Sequence, residues 1–201
     1  MKNIILISGK QGSGKTTLAN NIEKLFNQIT APKYVVLQVK FADVIYEMHD
    51  SIWEILNKYG FKNPQAKSGD LLQYLGLQFG RKVLGEDVWA KVCRTKTDNI
   101  LKHPNYLNIN LQLIVIIDDL RFINEFDIFP DAFRVRLECP EDIRKVRCSA
   151  WRENTTHPSE IDLDDYSIRG KFDLYFDTER ANSEECAKYV LENINREYRA
   201  I

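Results

Sequence analysis

Apolar residues along this chain form short, uninterrupted runs that alternate with longer segments of mixed polarity. Three of the runs are largely aliphatic, and two shorter ones follow later in the chain. Unbroken Ile, Leu and Val are typical of strands that are buried on both faces of a parallel sheet. The pattern therefore predicts five strands, at residues 3–8, 34–39, 112–117, 133–137 and 172–176.

The segments between these runs place apolar residues three and four positions apart, which is the spacing of an amphipathic helix. This spacing predicts helices over residues 17–27, 41–56, 70–84, 87–101, 140–150 and 183–196. Gly76 and Gly80 fall inside one of them, where each costs about 1 kcal/mol relative to alanine. We therefore expect that helix to be interrupted, or to be approached closely by another group. The alternation of strands and helices predicts a doubly wound α/β fold.

Composition narrows the class of protein. The 201 residues are 44% apolar, the net charge is −1 and the sequence pI is near 6.3. These values fit a single domain over residues 1–201 and argue against unspecific attraction to a nucleic-acid polymer or an anionic membrane. The four cysteines lack a CxxC pair, and the longest wholly aliphatic run, 113–117, has five residues. We therefore expect no zinc site, disulfide framework, signal peptide or membrane span, and a cytoplasmic location.

One glycine-rich stretch joins the first predicted strand to the first predicted helix, and it reads Gly9-Lys10-Gln11-Gly12-Ser13-Gly14-Lys15-Thr16. Glycines in such a loop let backbone N–H groups point inward at a helix N-terminus, where they bind phosphate oxygens. Lys15 is expected to reach the β- and γ-phosphates of ATP and to be catalytic, and the Thr16 hydroxyl is expected to ligate Mg²⁺. The motif predicts a three-layer P-loop NTPase fold with a five-stranded parallel sheet and a helical lid. The predicted ATP-binding residues are Gly12, Ser13, Gly14, Lys15, Thr16 and Thr17.

A second signal is the pair Asp118-Asp119, which ends the aliphatic strand predicted over 112–117. A carboxylate at the carboxyl end of a strand beside a phosphate loop holds Mg²⁺ directly or through water. Adjacent strand residues point to opposite faces, so only one of the two can share a face with Thr16. Spacing alone does not decide which one.

Arginines supply the remaining charge that phosphoryl transfer needs. Arg121 follows the strand at the edge where open α/β sheets bind ligands, and a guanidinium suits phosphate oxygens. A surface ion pair between Arg121 and Glu125 is the simpler alternative. Residues 140–171 are rich in Arg and Lys, and we predict that they form a lid over the triphosphate. Arg144 is predicted to be catalytic, and the predicted lid residues are Arg144, Arg147, Arg152, His157 and Glu160.

Taken together, these residues resemble the deoxynucleoside monophosphate kinases of bacteriophages and their bacterial relatives. The resemblance runs from residue 9 to residue 160 and keeps the order of that family. Beyond the phosphate loop it rests on Phe41-Ala42-Asp43, Leu75-Gly76, Asp87-Val88-Trp89, Asp119-Leu120-Arg121-Phe122-Ile123-Asn124-Glu125 and His157-Pro158-Ser159-Glu160. It implies ATP-dependent phosphorylation of a (deoxy)nucleoside monophosphate to its diphosphate, assisted by Mg²⁺. If the chain is viral, its location would be the host cytoplasm.

The resemblance also implies roles for individual residues. It favours Asp119 over Asp118, so the predicted metal ligands are Thr16 and Asp119. It implies a monophosphate-binding helical region at about 41–103 and a homodimer. The chain lacks much of an insertion that contacts the nucleobase in the phage enzymes, so base preference is left open. The implied substrate-binding residues are Gln11, Phe41, Ala42, Asp43, Gly76, Arg81, Trp89, Asp119, Arg121 and Glu125.

Three other functions fit the same motifs. Asp43 is suited to act as a general base for a hydroxyl acceptor, as a deoxynucleoside kinase requires. A kinase for another small phosphorylated metabolite would use the same cations. A nucleotide-binding switch without kinase turnover would need the phosphate loop alone.

Overall fold

The computed structural model describes residues 3–30, 33–62, 69–106, 111–149, 151, 158–165, 168 and 170–199. Five parallel strands form one sheet in the order β2-β3-β1-β4-β5. The prediction of a five-stranded parallel sheet is therefore confirmed. The strands are β1 (Ile4–Gly9), β2 (Lys33–Val39), β3 (Leu111–Leu120), β4 (Phe133–Glu138) and β5 (Leu174–Asp177).

Helices connect the strands along the chain. Two short 3₁₀ turns, Pro104–Tyr106 and Asp162–Asp164, add to them. None of the helices in the described part of the chain is long and apolar enough to span a bilayer. The helices are α1 (Lys15–Asn27), α2 (Asp43–Lys58), α3 (Gly69–Gln73), a π-helix (Tyr74–Leu84), α4 (Val88–Leu101), α5 (Ile123–Asp127), α6 (Glu141–Arg147), α7 (Pro158–Ile161) and α8 (Ser183–Arg199).

Both faces of the sheet are buried, as the aliphatic strands predict. Along β1, Ile5 and Ile7 pack into one core with α1 and α8, while Leu6 packs into the other. β3 alternates in the same way, with Ile116 in the first core and Ile117 in the second. Since strand residues alternate between faces, each aliphatic strand contributes to two cores. The result is a three-layer α/β fold.

The strand order places the functional residues at one edge of the sheet. β1 lies between β3 and β4, so the loop that follows β1 emerges beside the carboxyl end of β3. β2 pairs with β3 in a register that sets Val39 opposite Ile117. The residues just after these two strands therefore meet next to the glycine-rich loop. Ligands bind at this position in open parallel sheets.

The interrupted helix expected around Gly76 and Gly80 is the π-helix. Trp89, in the first turn of α4, packs against it and donates its indole N–H to the Gly76 carbonyl oxygen at 2.8 Å. A Cβ atom added to Gly80 would lie only 2.1 Å from the Trp89 ring. Gly80 is therefore required by the close approach of an aromatic ring. The predicted helix is thus both interrupted and closely approached by the Trp89 ring.

Candidate functional site

The loop between β1 and α1 is held in a tight conformation by glycines. Gly12 has φ 77° and Gly14 has φ 94°, both in the left-handed region that favours glycine. A Cβ atom at Gly12 would lie 2.7 Å from the Arg144 carbonyl oxygen, so α6 lies directly against the loop. The N-terminus of α1, with its partial positive charge, follows at Lys15. This geometry is suited to binding phosphate.

The Lys15 side chain folds back across the loop. Its Nζ atom donates to the Gly9 carbonyl oxygen at 2.6 Å and to the Lys10 carbonyl oxygen at 2.9 Å. Burial, and secondly the positive charge of Arg121, lower the pKa of the Lys15 ammonium to about 7. The carboxylates of Glu160, Asp118 and Asp119 act in the opposite direction and raise this pKa. A desolvated cation held mainly by carbonyl dipoles gains strongly from a nearby anion.

Asp118 is the acidic residue that shares a face with Thr16. The Thr16 hydroxyl donates to Asp118 Oδ2 at 2.6 Å, and Lys40 Nζ forms an ion pair with Asp118 Oδ1. The Asp118 side chain is 2% exposed. The geometry thus differs from the predicted pairing of Thr16 with Asp119.

Asp119 points the other way, as strand alternation requires. Its two carboxylate oxygens accept from the backbone N–H groups of Phe41 at 2.9 Å and Ala42 at 3.1 Å. Burial raises the pKa of Asp119 to about 6, although these two backbone N–H groups act to lower it. Asp119 therefore ties the end of β3 to the turn that starts α2.

A cavity of about 510 Å³ opens between the loop, the α2 turn, the π-helix and α7. Nine of the ten residues implied to bind substrate line it; Asp43 is the exception. The Asp43 carboxylate turns away to the Lys40 backbone N–H and to the Lys96 ammonium, at 3.0 and 2.9 Å. The nine are Gln11, Phe41, Ala42, Gly76, Arg81, Trp89, Asp119, Arg121 and Glu125.

On one wall of this cavity Glu125 holds Arg81. Glu125 Oε1 accepts from Arg81 at 3.1 Å, and Oε2 accepts from the backbone N–H groups of Arg121 and Phe122. The Arg81 guanidinium lies over the Phe122 ring, 3.8 Å from its centroid. Burial raises the pKa of Glu125 to about 7, although its hydrogen bond from the Arg121 backbone acts to lower it. The alternative of a surface ion pair between Arg121 and Glu125 does not form; the Glu125 carboxylate instead makes a buried pair with Arg81.

Arg121 instead pairs with Glu160 of α7. One Glu160 oxygen contacts the Arg121 guanidinium, and the other accepts from the Gln11 backbone N–H at 2.9 Å. The Glu160 side chain is 9% exposed. A carboxylate therefore bridges the glycine-rich loop and Arg121 at the point where the loop meets the cavity.

The other predicted lid residues lie on α6 or outside the described residues. Arg144 is buried and donates to the carbonyl oxygens of Cys139 and Gln11, both at 3.0 Å. The Arg144 side chain therefore stabilises the loop by donating to backbone carbonyl oxygens. Its contact with the transferred phosphoryl group stays a prediction. Arg147 donates to the Thr178 carbonyl oxygen at 3.0 Å. Arg152 and His157 lie outside the described residues.

A second hollow lies on the opposite side of the loop. It has a volume of about 300 Å³ and is lined by three predicted ATP-binding residues, Ser13, Gly14 and Thr17, together with Arg147 and the 178–183 segment. Residues of the loop therefore line both cavities, Gln11 the first and Ser13 and Gly14 the second. A larger groove of about 710 Å³ lies between α2 and α4, and none of the predicted site residues lines it.

The sequence itself relates this chain to a known family. A model of the AAA domain family matches residues 5–166. The chain belongs to the AAA domain family. No curated protein is significantly similar to it in sequence.

Solved structures support a P-loop kinase-like fold for this AAA-domain chain. An APS kinase from Mycobacterium tuberculosis, in complex with AMPPNP and APS, has a TM-score of 0.56 at 13% identity, covering 96% of this chain and 98% of that one. The protein TT1252 from Thermus thermophilus has a TM-score of 0.56 at 20% identity, covering 96% of both chains. A shikimate kinase from Acinetobacter baumannii, in complex with shikimate, has a TM-score of 0.51 at 15% identity, covering 98% and 94%.

Among the site residues that sequence reasoning missed are Lys40 and Phe122, which make the clearest polar and cation–π contacts. Lys40 follows β2 without a motif, and only the β2–β3 register brings it to Asp118. Phe122 stands in the sequence between Arg121 and the apolar Ile123, and only the fold places it beneath Arg81. The spacing of residues along the sequence indicates neither of these two contacts.

Proposed function

We propose that this AAA-domain chain is a kinase that transfers the γ-phosphoryl group of ATP to a (deoxy)nucleoside monophosphate and forms the diphosphate. The observation that carries the proposal is the Glu160 carboxylate bridging the Gln11 N–H and the Arg121 guanidinium. Carboxylate and phosphate oxygens are recognised by the same donors. This position therefore suits an anionic acceptor, next to the loop that would hold ATP.

Two guanidinium groups support a phosphate acceptor in particular. Arg121 and Arg81 both line the 510 Å³ cavity, and each is oriented by a carboxylate. A phosphate oxygen is already anionic at neutral pH, so the reaction needs cations that bring two polyanions together and needs no general base. The cation-rich wall suits this requirement.

The opposite wall of the cavity suits a nucleoside. Phe41, Tyr46 and Trp89 bring aromatic surface to it, and Leu72 adds aliphatic surface. Mostly apolar walls with a few placed polar groups are typical of small-molecule sites, and the volume lies within their usual range of roughly 300–1,000 Å³. We assign the nucleobase and sugar to this side.

ATP is assigned to the glycine-rich loop and to the 300 Å³ hollow beside it. The loop N–H groups and Lys15 would hold the β- and γ-phosphates. The hollow, between Arg147 and the 178–183 segment, would hold the donor base. With the acceptor in the cavity that Gln11 lines and the donor in the hollow that Ser13 and Gly14 line, one loop would hold both substrates, which supports an in-line transfer between them.

The oxygen donors beside the loop fit Mg²⁺. Thr16 Oγ1 and Asp118 Oδ2 lie 2.6 Å apart, and both are hard oxygen ligands. No group of three or more His, Cys, Asp or Glu side chains suited to a metal occurs among the described residues. Mg²⁺ often takes only one or two protein ligands and completes its shell with water and phosphate, so a two-oxygen site suffices. When bound there, the ion would neutralise charge on the β- and γ-phosphates. We therefore propose Asp118 in place of Asp119 as the acidic ligand.

In this mechanism the chain's residues bind and orient. Lys15 would leave the loop carbonyls to contact the transferring group, and Arg121 would exchange Glu160 for the acceptor phosphate. Burial would strengthen both contacts, because charges attract more strongly where water is excluded. The acceptor oxygen attacks the γ-phosphorus, the bond to the ADP oxygen breaks, and no proton is abstracted by the protein.

A hydroxyl acceptor is the second candidate. Asp119 lies in the same cavity, and its raised pKa of about 6 suits a general base near neutral pH. Two structural neighbours are kinases solved with APS and with shikimate. Against this reading, both Asp119 oxygens already accept backbone hydrogen bonds.

Coupled detection of ADP release tests the proposal. The chain is given ATP and Mg²⁺ with deoxynucleoside monophosphates, ribonucleoside monophosphates, deoxynucleosides, APS, shikimate or buffer. We expect release that depends on one or more of the monophosphates and that Lys15→Ala abolishes. Release with hydroxyl compounds alone would favour the second candidate. Release that needs no acceptor would instead indicate a nucleotide hydrolase or switch.

A further inference from the structure

Asp118 stands between two partners that approach from opposite sides. Strand order puts β2 on one side of β3 and β1 on the other. From the β1 side, Thr16 donates to Asp118 Oδ2 at 2.6 Å. From the β2 side, Lys40 follows Val39, which pairs with Ile117, so Lys40 continues the register to Asp118. Its ammonium contacts Asp118 Oδ1.

The two side chains of this ion pair differ sharply in their surroundings. Asp118 is 2% exposed, whereas the Lys40 side chain is 35% exposed. A buried carboxylate needs a compensating charge, and Lys40 supplies it. The long, half-exposed lysine side chain can leave without being buried elsewhere, because its ammonium can reach water. The Asp118 carboxylate is therefore held in place, whereas its counter-ion, the Lys40 ammonium, can move.

A divalent cation at the same carboxylate would compete with this ammonium. The ammonium and the divalent cation are both positive, so they repel each other when both lie close to the Asp118 carboxylate. This repulsion is strong because the carboxylate is buried. Lys96, the other lysine near this turn, is bound to Asp43 at 2.9 Å. Lys15 is also near Asp118, but its ammonium donates to the carbonyl oxygens of Gly9 and Lys10. Lys40 contacts the Asp118 carboxylate itself, so its position couples directly to occupancy of Asp118 by metal.

We propose that Lys40 is a resident counter-ion of Asp118 that a divalent cation must displace, so that Lys40 sets the metal affinity of the site. This inference rests on the proposed function only in assigning Asp118 as the metal ligand. In the metal-free chain Lys40 neutralises Asp118 and keeps it oriented toward Thr16. On metal binding the ammonium leaves Oδ1 and returns to solvent, which its half-exposed side chain can reach.

Direct titration with Mn²⁺, followed by electron paramagnetic resonance on the full chain saturated with ADP, tests the inference. Lys40→Met removes the competing charge, so we expect Mn²⁺ to bind this variant at least about tenfold more tightly than it binds the wild-type chain. Lys40→Arg keeps the charge and should leave the affinity near the wild-type value. Asp118→Asn should weaken binding strongly in both the wild-type and the Lys40→Met background.

Lys58→Met is the matched control, because Lys58 also pairs with a carboxylate, Glu54, at 3.5 Å, on an exposed helix surface. It should leave Mn²⁺ affinity unchanged. Lys40→Gln repeats the neutralisation with a polar side chain, so that a folding defect in Lys40→Met, detected by thermal unfolding, does not decide the result.

Unchanged or weaker Mn²⁺ binding in both neutral variants would overturn the inference. Binding that does not depend on Asp118 would overturn it as well. The proposed function fails separately: if Mn²⁺ affinity rises as expected but no monophosphate accepts a phosphoryl group, Lys40 keeps its assigned role and the acceptor assignment falls.

Discussion

At the residue scale, the charges of the site are arranged as pairs in which a carboxylate holds a cation in place. Glu160 holds Arg121, Glu125 holds Arg81 and Asp118 holds Lys40. The two guanidinium groups are thereby oriented before an anionic ligand arrives, so less side-chain freedom is lost on binding. Preorganised charge of this kind stabilises a transition state that carries developing negative charge.

Arg121 is expected to contribute to the reaction itself. Arg121→Ala should lower kcat/KM for the acceptor by about 2–4 kcal/mol, the scale of removing a transition-state charge contact. Steady-state kinetics with the best acceptor measures this loss. Lys58→Ala, which removes an exposed cation 65% accessible to solvent, serves as the control. Equal kinetics for the two variants would assign Arg121 to a structural role.

Glu125 is expected to make stability depend on pH. Its pKa is raised from 4.5 to about 7, so between these pH values the folded chain binds more protons than the unfolded chain. The free energy of unfolding therefore falls as pH rises through this window. Relative to Glu125→Gln, the wild-type chain should lose on the order of 3 kcal/mol between pH 4.5 and pH 8.

Urea unfolding of both chains across this pH range measures the Glu125 effect. Glu54→Gln, at an exposed glutamate in an ion pair with Lys58, controls for the loss of a surface carboxylate. If the stability difference between wild type and Glu125→Gln stays constant with pH, the pKa of Glu125 is the same in the folded and unfolded chains, which would contradict the expected shift.

At the scale of elements, the π-helix is shaped by the aromatic ring that packs on it. Trp89 lies against Gly80 and donates to the Gly76 carbonyl oxygen, and both Trp89 and Gly76 line the 510 Å³ cavity. The irregular helix thereby exposes Arg81 to the cavity on the adjoining turn. π-helical segments occur often at functional sites, in agreement with this arrangement.

A methyl group at Gly80 is expected to disturb this packing. Gly80→Ala would place a Cβ atom 2.1 Å from the Trp89 ring, and overpacking of this kind should cost about 1–3 kcal/mol of stability. Gly76→Ala is the control in the same element, since its Cβ atom would meet only Ile45 Cδ1, at 3.5 Å. Urea unfolding with tryptophan fluorescence distinguishes the two. A similar stability for both variants would mean that the ring shifts without penalty.

Regular elements were predictable because their signals are local. The aliphatic runs of β1 and β3 and the apolar stripes of the long helices directly reflect burial, so their existence and order agree with the sequence prediction. The prediction placed β5 two residues early, because Phe172 packs into the second core before the strand begins. The short helix α5 was missed as an element because five residues are too few for a periodic pattern.

The site was predictable only where a motif fixes geometry. The glycine-rich loop placed Lys15 and Thr16, and family resemblance gathered residues that the structure brings around one cavity. The choice between Asp118 and Asp119 depends on which face each occupies, which the motif does not specify. The contact of Lys40 depends on strand register, and that is set by the whole sheet.

At the scale of the whole molecule, the fold places two cavities on either side of one loop. β1 carries the loop, β3 carries the acidic pair, and α6 and α7 contact the loop through Arg144 and Glu160. Residues of the same loop line both cavities, so under the proposed function one loop would hold both donor and acceptor. Transfer from nucleotide to phosphate is the chemistry that this arrangement suits best.

Transfer of a ³²P label from the γ-position of ATP is the most direct test of that claim. The full chain is incubated with Mg²⁺, labelled ATP and each deoxynucleoside monophosphate, and the products are separated by chromatography. The account predicts label in a deoxynucleoside diphosphate for at least one base, with none formed by Lys15→Ala. Label found only in inorganic phosphate, or only in a phosphate ester of a hydroxyl group, would contradict it.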